Sequence, residues 1–304
     1  MVNTITILDG GMGKELRRIG APFRQPEWSA LALLEAPDQV TQAHRNFIDA
    51  GAEVVITNTY AVVPFHIGAE RFEARGRELV ELAARLARKA TADANRPIRV
   101  AGSLPPVCGS YVPDDFEPET APDRWRTLIE PQIPHVDLWI GETISSTTEA
   151  RVLLETLNAV APDDKPVWLA FTLDDTPGHA EATLRSGEPL SVVAALLTEP
   201  SAANVETVLF NCSQPEVIRP ALEALRPLLP DTPLGAYANA FAEHHVESDD
   251  YAANTQILER RDDLTAERYA DLAAEWIDAG ATVIGGCCDI YPEHIAALAA
   301  RFGR

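Results

Sequence analysis

The sequence predicts a closed barrel of eight parallel strands, each followed by a helix: a single (β/α)8, or TIM-barrel, domain over residues 1–304. Three observations carry this. Short apolar runs alternate with longer stretches of helical spacing along the whole chain. The runs are apolar throughout, as in strands covered on both faces. Two stretches also nearly repeat, Ile48-Asp-Ala-Gly-Ala-Glu-Val-Val-Ile and Ile277-Asp-Ala-Gly-Ala-Thr-Val-Ile-Gly, each a helix end, a glycine stop and a strand.

In order, the expected strands are Thr4–Leu8, Val54–Thr57, Ile98–Ala101, Asp137–Ile140, Val167–Leu173, Thr207–Phe210, Leu234–Tyr237 and Thr282–Ile284. The expected helices are Gln39–Ala50, Ala69–Ala94, Ser145–Ala159, Ser191–Ala203, Glu216–Leu229, Ala266–Ala279 and Pro292–Arg301. Segments Arg17–Asp38, Pro105–Arg124, Asp174–Pro189 and Phe241–Leu264 read as long loops, which in a barrel gather at the face that carries active sites. No Gly-x-Gly-x-x-Gly follows the first strand, which argues against an open dinucleotide-binding sheet.

Composition narrows the function. A formal charge of −21 argues against nucleic acid or an anionic membrane as partner. With 46% hydrophobic and 23% charged residues the chain is globular, and no apolar run reaches the length of a membrane span. The amino terminus lacks a basic and then apolar leader, so the cytoplasm is the expected compartment. There the four cysteines stay reduced, and the adjacent pair Cys287-Cys288 points to metal or chemistry before it points to a disulfide staple.

The residues that follow the strands hold the chemistry. Asp9, Gly10 and Gly11 follow the first strand, Asn58, Thr59 and Tyr60 the second, and Glu142 and Thr143 the fourth. Asn211-Cys212-Ser213 ends the sixth, Asn239 the seventh, and Gly285-Gly286-Cys287-Cys288 the eighth. Three cysteines at the active ends of two strands suit Zn2+, bound by sulfur at about 2.3 Å, with the fourth tetrahedral position open as in catalytic sites. Cys108, in a Pro-rich loop, reads as structural. His244-His245, in an acidic loop, reads as solvated.

On these residues the chain resembles the homocysteine S-methyltransferase family. The resemblance runs from Leu8-Asp-Gly-Gly-Met-Gly-Lys-Glu-Leu to Gly285-Gly-Cys-Cys-Asp-Ile-Tyr-Pro-Glu-His-Ile. Between them lie Glu27-Trp-Ser-Ala, Thr57-Asn-Thr-Tyr, Gly102-Ser-Leu-Pro-Pro, Gly141-Glu-Thr and Asn211-Cys-Ser-Gln-Pro. The resemblance implies Zn2+ on Cys212, Cys287 and Cys288, with the homocysteine thiol as fourth ligand. It implies Asp9 and Glu142 at the homocysteine amino group. The amides of Gly10 and Gly11, with Thr59, are the expected partners of its carboxylate.

The methyl donor is expected to be a cation against aromatic faces, with Trp28, Tyr60 and Tyr111 in segments that supply them. S-methylmethionine is the favoured donor; betaine, another sulfonium or a folate are alternatives. A non-catalytic zinc or redox-responsive barrel with a Cys287-Cys288 disulfide is the reading from a different class. Two departures from the family pattern lie near the site: Asp289, where many relatives carry Gly, and Tyr237-Ala-Asn239-Ala, where common relatives have Tyr-Pro-Asn-Ser.

Overall fold

The computed structural model describes residues 4–162, 165–176, 181–242 and 258–303. Its strands are β1 Thr6–Ile7, β2 Val54–Ile56, β3 Arg99–Leu104, β4 Leu138–Ile144, β5 Val167–Phe171, β6 Val205–Asn211, β7 Leu234–Tyr237 and β8 Ala281–Ile284. All eight pair in parallel in one sheet, in the order β1-β8-β7-β6-β5-β4-β3-β2. A parallel bridge between Leu8 and Val54 closes β1 onto β2, so the sheet is a barrel.

The α-helices of the described residues are α1 Met12–Arg18, α2 Ala30–Glu35, α3 Pro37–Asp49, α4 Pro64–Ile67, α5 Ala69–Ala92 and α6 Ala121–Gln132. They continue as α7 Thr147–Val160, α8 Ser191–Leu196, α9 Pro215–Leu225, α10 Ala266–Asp278 and α11 Pro292–Phe302. Helix α7 starts two residues later than expected because the Ser146 hydroxyl accepts from the Glu149 amide and caps it. Helix α8 stops at Leu196 instead of running to Ala203, and a 3-10 turn begins at Pro200. Gly51 and Gly280 close α3 and α10 with φ of +115° and +102°, the left-handed stops that the near-repeat predicts.

Two expected loops contain helices. Segment Arg17–Asp38 holds α2, and Pro105–Arg124 runs into α6, whose buried Ala121, Trp125, Leu128, Ile129 and Gln132 form one helical stripe. His244-His245 lies outside the described residues. No helix among the described residues is long and apolar enough to cross a membrane.

The apolar residues divide by strand alternation. Leu8, Val54, Ala101, Leu138, Ile140, Trp168, Ala170, Leu209, Tyr237 and Val283 form one buried cluster, the barrel interior. Their neighbours one residue along, such as Val55, Val100, Trp139, Leu169, Val208 and Ala236, join the larger cluster between sheet and helices. Period two also fixes what stands above the interior layer. Ser103 follows Ala101, Glu142 follows Ile140 and Asn211 follows Leu209, so the inward series turns polar at the strands' carboxyl ends.

Candidate active site and metal centre

The polar ends of the strands surround a cavity of about 830 Å3, its open mouth included. Ten of the eleven residues expected at the site line it: Asp9, Gly10, Gly11, Trp28, Tyr60, Tyr111, Glu142, Cys212, Cys287 and Cys288. Thr59 does not. Its hydroxyl donates to the Ser103 carbonyl at 3.0 Å, and it is fully buried, while Thr57, Asn58 and Ser29 reach the cavity in its place. Gly11 does not offer its amide either, since that N–H donates to the Ile290 carbonyl at 2.8 Å. What Gly11 supplies is closeness: a Cβ there would stand 2.6 Å from the Cys287 carbonyl oxygen. The first turn is thereby packed against the loop of the two cysteines.

Cys212 follows β6 with φ of +49°, which breaks the strand's alternation directly after inward-facing Asn211. Cys287 and Cys288 follow β8 on a loop held from both sides. Gly286 N–H donates to the Asp9 carbonyl and Cys287 N–H to that of Ala238, while Cys288 C=O accepts from Ala240 N–H, each at 2.9 Å. The three Sγ atoms lie within 4.8 Å of one another. Cys212 and Cys288 are 3.8 Å apart, which is the separation that bonds of about 2.3 Å impose on two sulfurs of a tetrahedral zinc. Cys287 lies closer to Cys212, at 2.8 Å.

Burial would push the Cys212 thiol up, but hydrogen bonds from Cys287, Cys288 and Tyr111 outweigh it and hold it well below the usual thiol range. Hydrogen bonding to Cys212 pushes the Cys287 and Cys288 thiols up in turn. The donor set is therefore three clustered sulfurs, one of them already favoured as thiolate, and it fits Zn2+.

Two carboxyls face the same space. Asp9 accepts from the Ile56 amide through Oδ2 at 2.9 Å, while its Oδ1 is buried without a hydrogen-bond partner among the described residues. Glu142 accepts from Ser103 Oγ at 2.5 Å and from the Tyr237 hydroxyl at 3.4 Å. Burial pushes both acids up, Asp9 well above the carboxylate range and Glu142 to about 7. Two desolvated acids with spare acceptor capacity make a receptor for a cation that donates hydrogen bonds. Glu142 lies within β4, not beyond it as expected, and the pairing with β5 shifts register there, with Thr143 at φ of +62°.

The aromatic side of the cavity is built by Trp28, Tyr60 and Tyr111. Trp28 meets the Phe23 and His66 rings edge-on, with centroids 5.9 Å away in each case. Tyr60 OH and Ser110 Oγ are 2.7 Å apart, and Tyr111 OH donates to Cys212 Sγ at 2.8 Å. Arg185 stacks on the Tyr111 ring, 5.5 Å from its centroid, which occupies one of that ring's two faces. Burial pushes the phenols of Tyr60 and Tyr111 well up, so both remain hydrogen-bond donors at any working pH.

Five residues other than glycine have positive φ among the described residues: Trp28, Tyr111, Thr143, Cys212 and Asp289. Four of them line the cavity or its cysteine loop, and Thr143 adjoins Glu142. Such conformations cost of order 1–3 kcal/mol each and collect where geometry serves a site.

Among the lining residues that sequence reasoning did not nominate are His66, Ser29 and Lys14. His66 sits on α4 with Nδ1 2.7 Å from the Pro26 carbonyl, and burial lowers its pKa to about 4, so the ring is neutral. Ser29 precedes α2, and Lys14 is on α1, inside the quoted Asp-Gly-Gly motif segment. None of the three has a spacing signal of its own.

A barrel with three clustered cysteines at the carboxyl ends of β6 and β8, sharing a cavity with two buried carboxyls, has the form of a catalytic thiolate–metal site. The sequence profile of the homocysteine S-methyltransferase family matches residues 6–302. The chain belongs to that family. It is 33% identical over 313 residues to the homocysteine S-methyltransferase of Escherichia coli K12, covering 98% of this chain and 95% of the relative. It is 26% identical over 326 residues to a selenocysteine methyltransferase of Astragalus bisulcatus, covering 96% and 90%. Among solved structures, the metallated form of the Escherichia coli homocysteine methyltransferase MmuM superposes with a TM-score of 0.78 at 30% identity, over 99% of this chain and 97% of that one. Its oxidised form gives 0.77 at 31% identity, over 98% and 96%.

Proposed function

We propose that this protein transfers a methyl group from a cationic sulfonium donor, S-methylmethionine, to the sulfur of L-homocysteine, with residues 1–304 acting as one catalytic domain. The observation that carries the reading is the placement of two buried carboxyls, Asp9 and Glu142, the Oδ1 of Asp9 without a partner among the described residues, in one cavity with Cys212, Cys287 and Cys288. Homocysteine has one group for each: an ammonium for the acids and a thiol for the metal.

Cys212, Cys287 and Cys288 would hold Zn2+, which when bound would favour the thiolate form of the homocysteine sulfur at neutral pH. The protein's own residues do the rest. Asp9 and Glu142 bind the ammonium and fix the acceptor's orientation. With Thr59 and the Gly11 amide committed elsewhere, the acceptor's carboxylate falls to the side of Ser29 and Asn58. Trp28, Tyr60 and Tyr111 hold the sulfonium. In the transfer, the homocysteine sulfur forms the new S–CH3 bond as the donor's S–CH3 bond breaks. The thiol proton leaves to solvent and the donor departs as neutral methionine. Free thiols at such a centre favour the cytoplasm as the working compartment.

The test is methionine formation by zinc-loaded protein from homocysteine with S-methylmethionine, betaine and S-adenosylmethionine in parallel. Turnover with the sulfoniums is the expected result. Turnover with betaine alone overturns the donor, and no turnover with any donor overturns the transferase reading in favour of the redox-responsive one.

A further inference from the structure

Lys14 is the one lysine or arginine among the described residues that line the cavity. It is 7% exposed and pairs at 2.8 Å with Asp289, itself 1% exposed and next in sequence to Cys288. Lys14 Nζ also donates to the Leu258 carbonyl at 3.2 Å. An ammonium has three N–H donors, so one is left without a protein acceptor among the described residues, in a buried group that borders the substrate space.

The surroundings select the ligand's charge. Lys14 and Asp289 line a second hollow, with Arg17, Arg18 and Arg260 against the single further acid Glu259, and of the pair only Lys14 also reaches the cavity of the cysteines. A local excess of cations in a chain of net charge −21 draws carboxylates to this end of the cavity. Asp9, Glu142 and the three cysteines, which line the same cavity, repel them. Asp289 has φ of +62°, and its two carboxylate oxygens are engaged, Oδ2 by Lys14 Nζ at 2.8 Å and Oδ1 by the Tyr291 hydroxyl at 3.2 Å.

We propose that Lys14, held in place by Asp289, is the subsite for the α-carboxylate of the methyl donor. The inference rests on the methyl-transfer reading above. It makes the pair a specificity element for sulfoniums that carry a carboxylate, over cations that lack one.

The test compares wild type with Lys14→Met and with the double variant Lys14→Met/Asp289→Gly. The double variant leaves no unpaired buried acid and places glycine where φ is positive. Circular dichroism and zinc content confirm that each variant is folded and loaded. Two donors are assayed, S-methylmethionine and trimethylsulfonium, which has neither carboxylate nor ammonium. The expected loss in kcat/KM for S-methylmethionine is about tenfold to hundredfold in the double variant, the range of a charge-assisted hydrogen bond. For trimethylsulfonium and for the homocysteine KM, changes should stay within about threefold. Calorimetric titration of S-methylmethionine into zinc-loaded protein should show the same loss without turnover. Equal losses on both donors would make the pair a strut between α1 and the cysteine loop, and a raised homocysteine KM alone would assign Lys14 to the acceptor. Either result overturns the proposal. If wild type turns over no sulfonium, the transferase reading fails separately, and the calorimetric comparison still decides the pair.

Discussion

The phenolic hydroxyl of Tyr111 donates to Sγ of Cys212 at 2.8 Å, so an aromatic residue of the cavity also bears on one of the three clustered cysteines. Tyr111 adopts φ of +66° to reach it, and Arg185, paired with Asp175 at 2.8 Å, holds the ring from its other side. The hydrogen bond favours the thiolate form of Cys212. Tyr111→Phe keeps the ring and removes the donor. In metal-stripped protein this should raise the Cys212 pKa by about 1–2 units, the equivalent of about 1.5–3 kcal/mol for a hydrogen bond to a charged group. Thiolate absorbance followed against pH measures it, and an unmoved curve removes Tyr111 from the ligand's surroundings.

The cysteine cluster makes a stoichiometric prediction. Wild type should bind about one zinc per chain, and Cys212→Ala, Cys287→Ala and Cys288→Ala should each lose both the metal and methyl transfer. Because a ligand that binds only the folded state raises stability by mass action, added zinc should raise the melting temperature of wild type and leave the variants where they were. Elemental analysis with paired thermal melts decides it. Full activity in a metal-free preparation would end the zinc reading.

Glu142 sets a pH dependence with a definite sign. Its pKa of about 7 means that the acid is protonated below neutrality and ionises as pH rises through 7. Ammonium binding needs the carboxylate, so homocysteine affinity should weaken as pH falls from 8 to 6. Stability runs the other way. A folded pKa raised above the unfolded value contributes stability that is present below about pH 4.5 and lost as pH rises through about 7. The loss is on the order of 3 kcal/mol for a shift of this size. Glu142→Gln keeps the shape and should therefore melt higher than wild type at pH 8, while binding homocysteine more weakly by about 1.5–3 kcal/mol with zinc unchanged. Unaltered homocysteine affinity would take Glu142 out of the site.

The strands and the cysteine cluster were legible because each rests on a local pattern. Apolar runs gave the eight strands to within a few residues, and Asn211-Cys212 with Gly285-Gly-Cys-Cys marked the ends of β6 and β8 where the three cysteines meet. Helix α6 was not legible as a start, because Pro122 and the Pro-rich stretch before it read as loop, although its buried stripe from Ala121 to Gln132 has helical spacing. Thr59 was misplaced because the order Thr57-Asn58-Thr59 does not say which side chain turns inward once the strand has ended. Lys14 and His66 escaped for a different reason. Each acts through partners more than 25 positions away, Lys14 through Asp289 and His66 through the Pro26 carbonyl, and such pairings exist only in the fold.

Trp28 carries the last prediction, on the donor. Its indole lies over α1 only because residue 13 is glycine: a Cβ there would stand 2.1 Å from Trp28 Nε1. Alanine in place of an ordinary helical glycine stabilises a helix by roughly 0.5–1 kcal/mol. Here Gly13→Ala should instead displace the indole. If Trp28 presents its face to the sulfonium, Trp28→Ala should raise the donor KM about thirtyfold, the equivalent of roughly 2 kcal/mol for a desolvated cation–π contact. Homocysteine binding, at Asp9 and Glu142, should stay nearly intact. Gly13→Ala should then reproduce a smaller rise in the same constant, since it moves the ring without deleting it. Steady-state kinetics with S-methylmethionine as the varied substrate reads both variants. A donor KM unchanged in Trp28→Ala would place the cation elsewhere in the cavity, and a rise in Trp28→Ala without one in Gly13→Ala would show that the indole tolerates displacement.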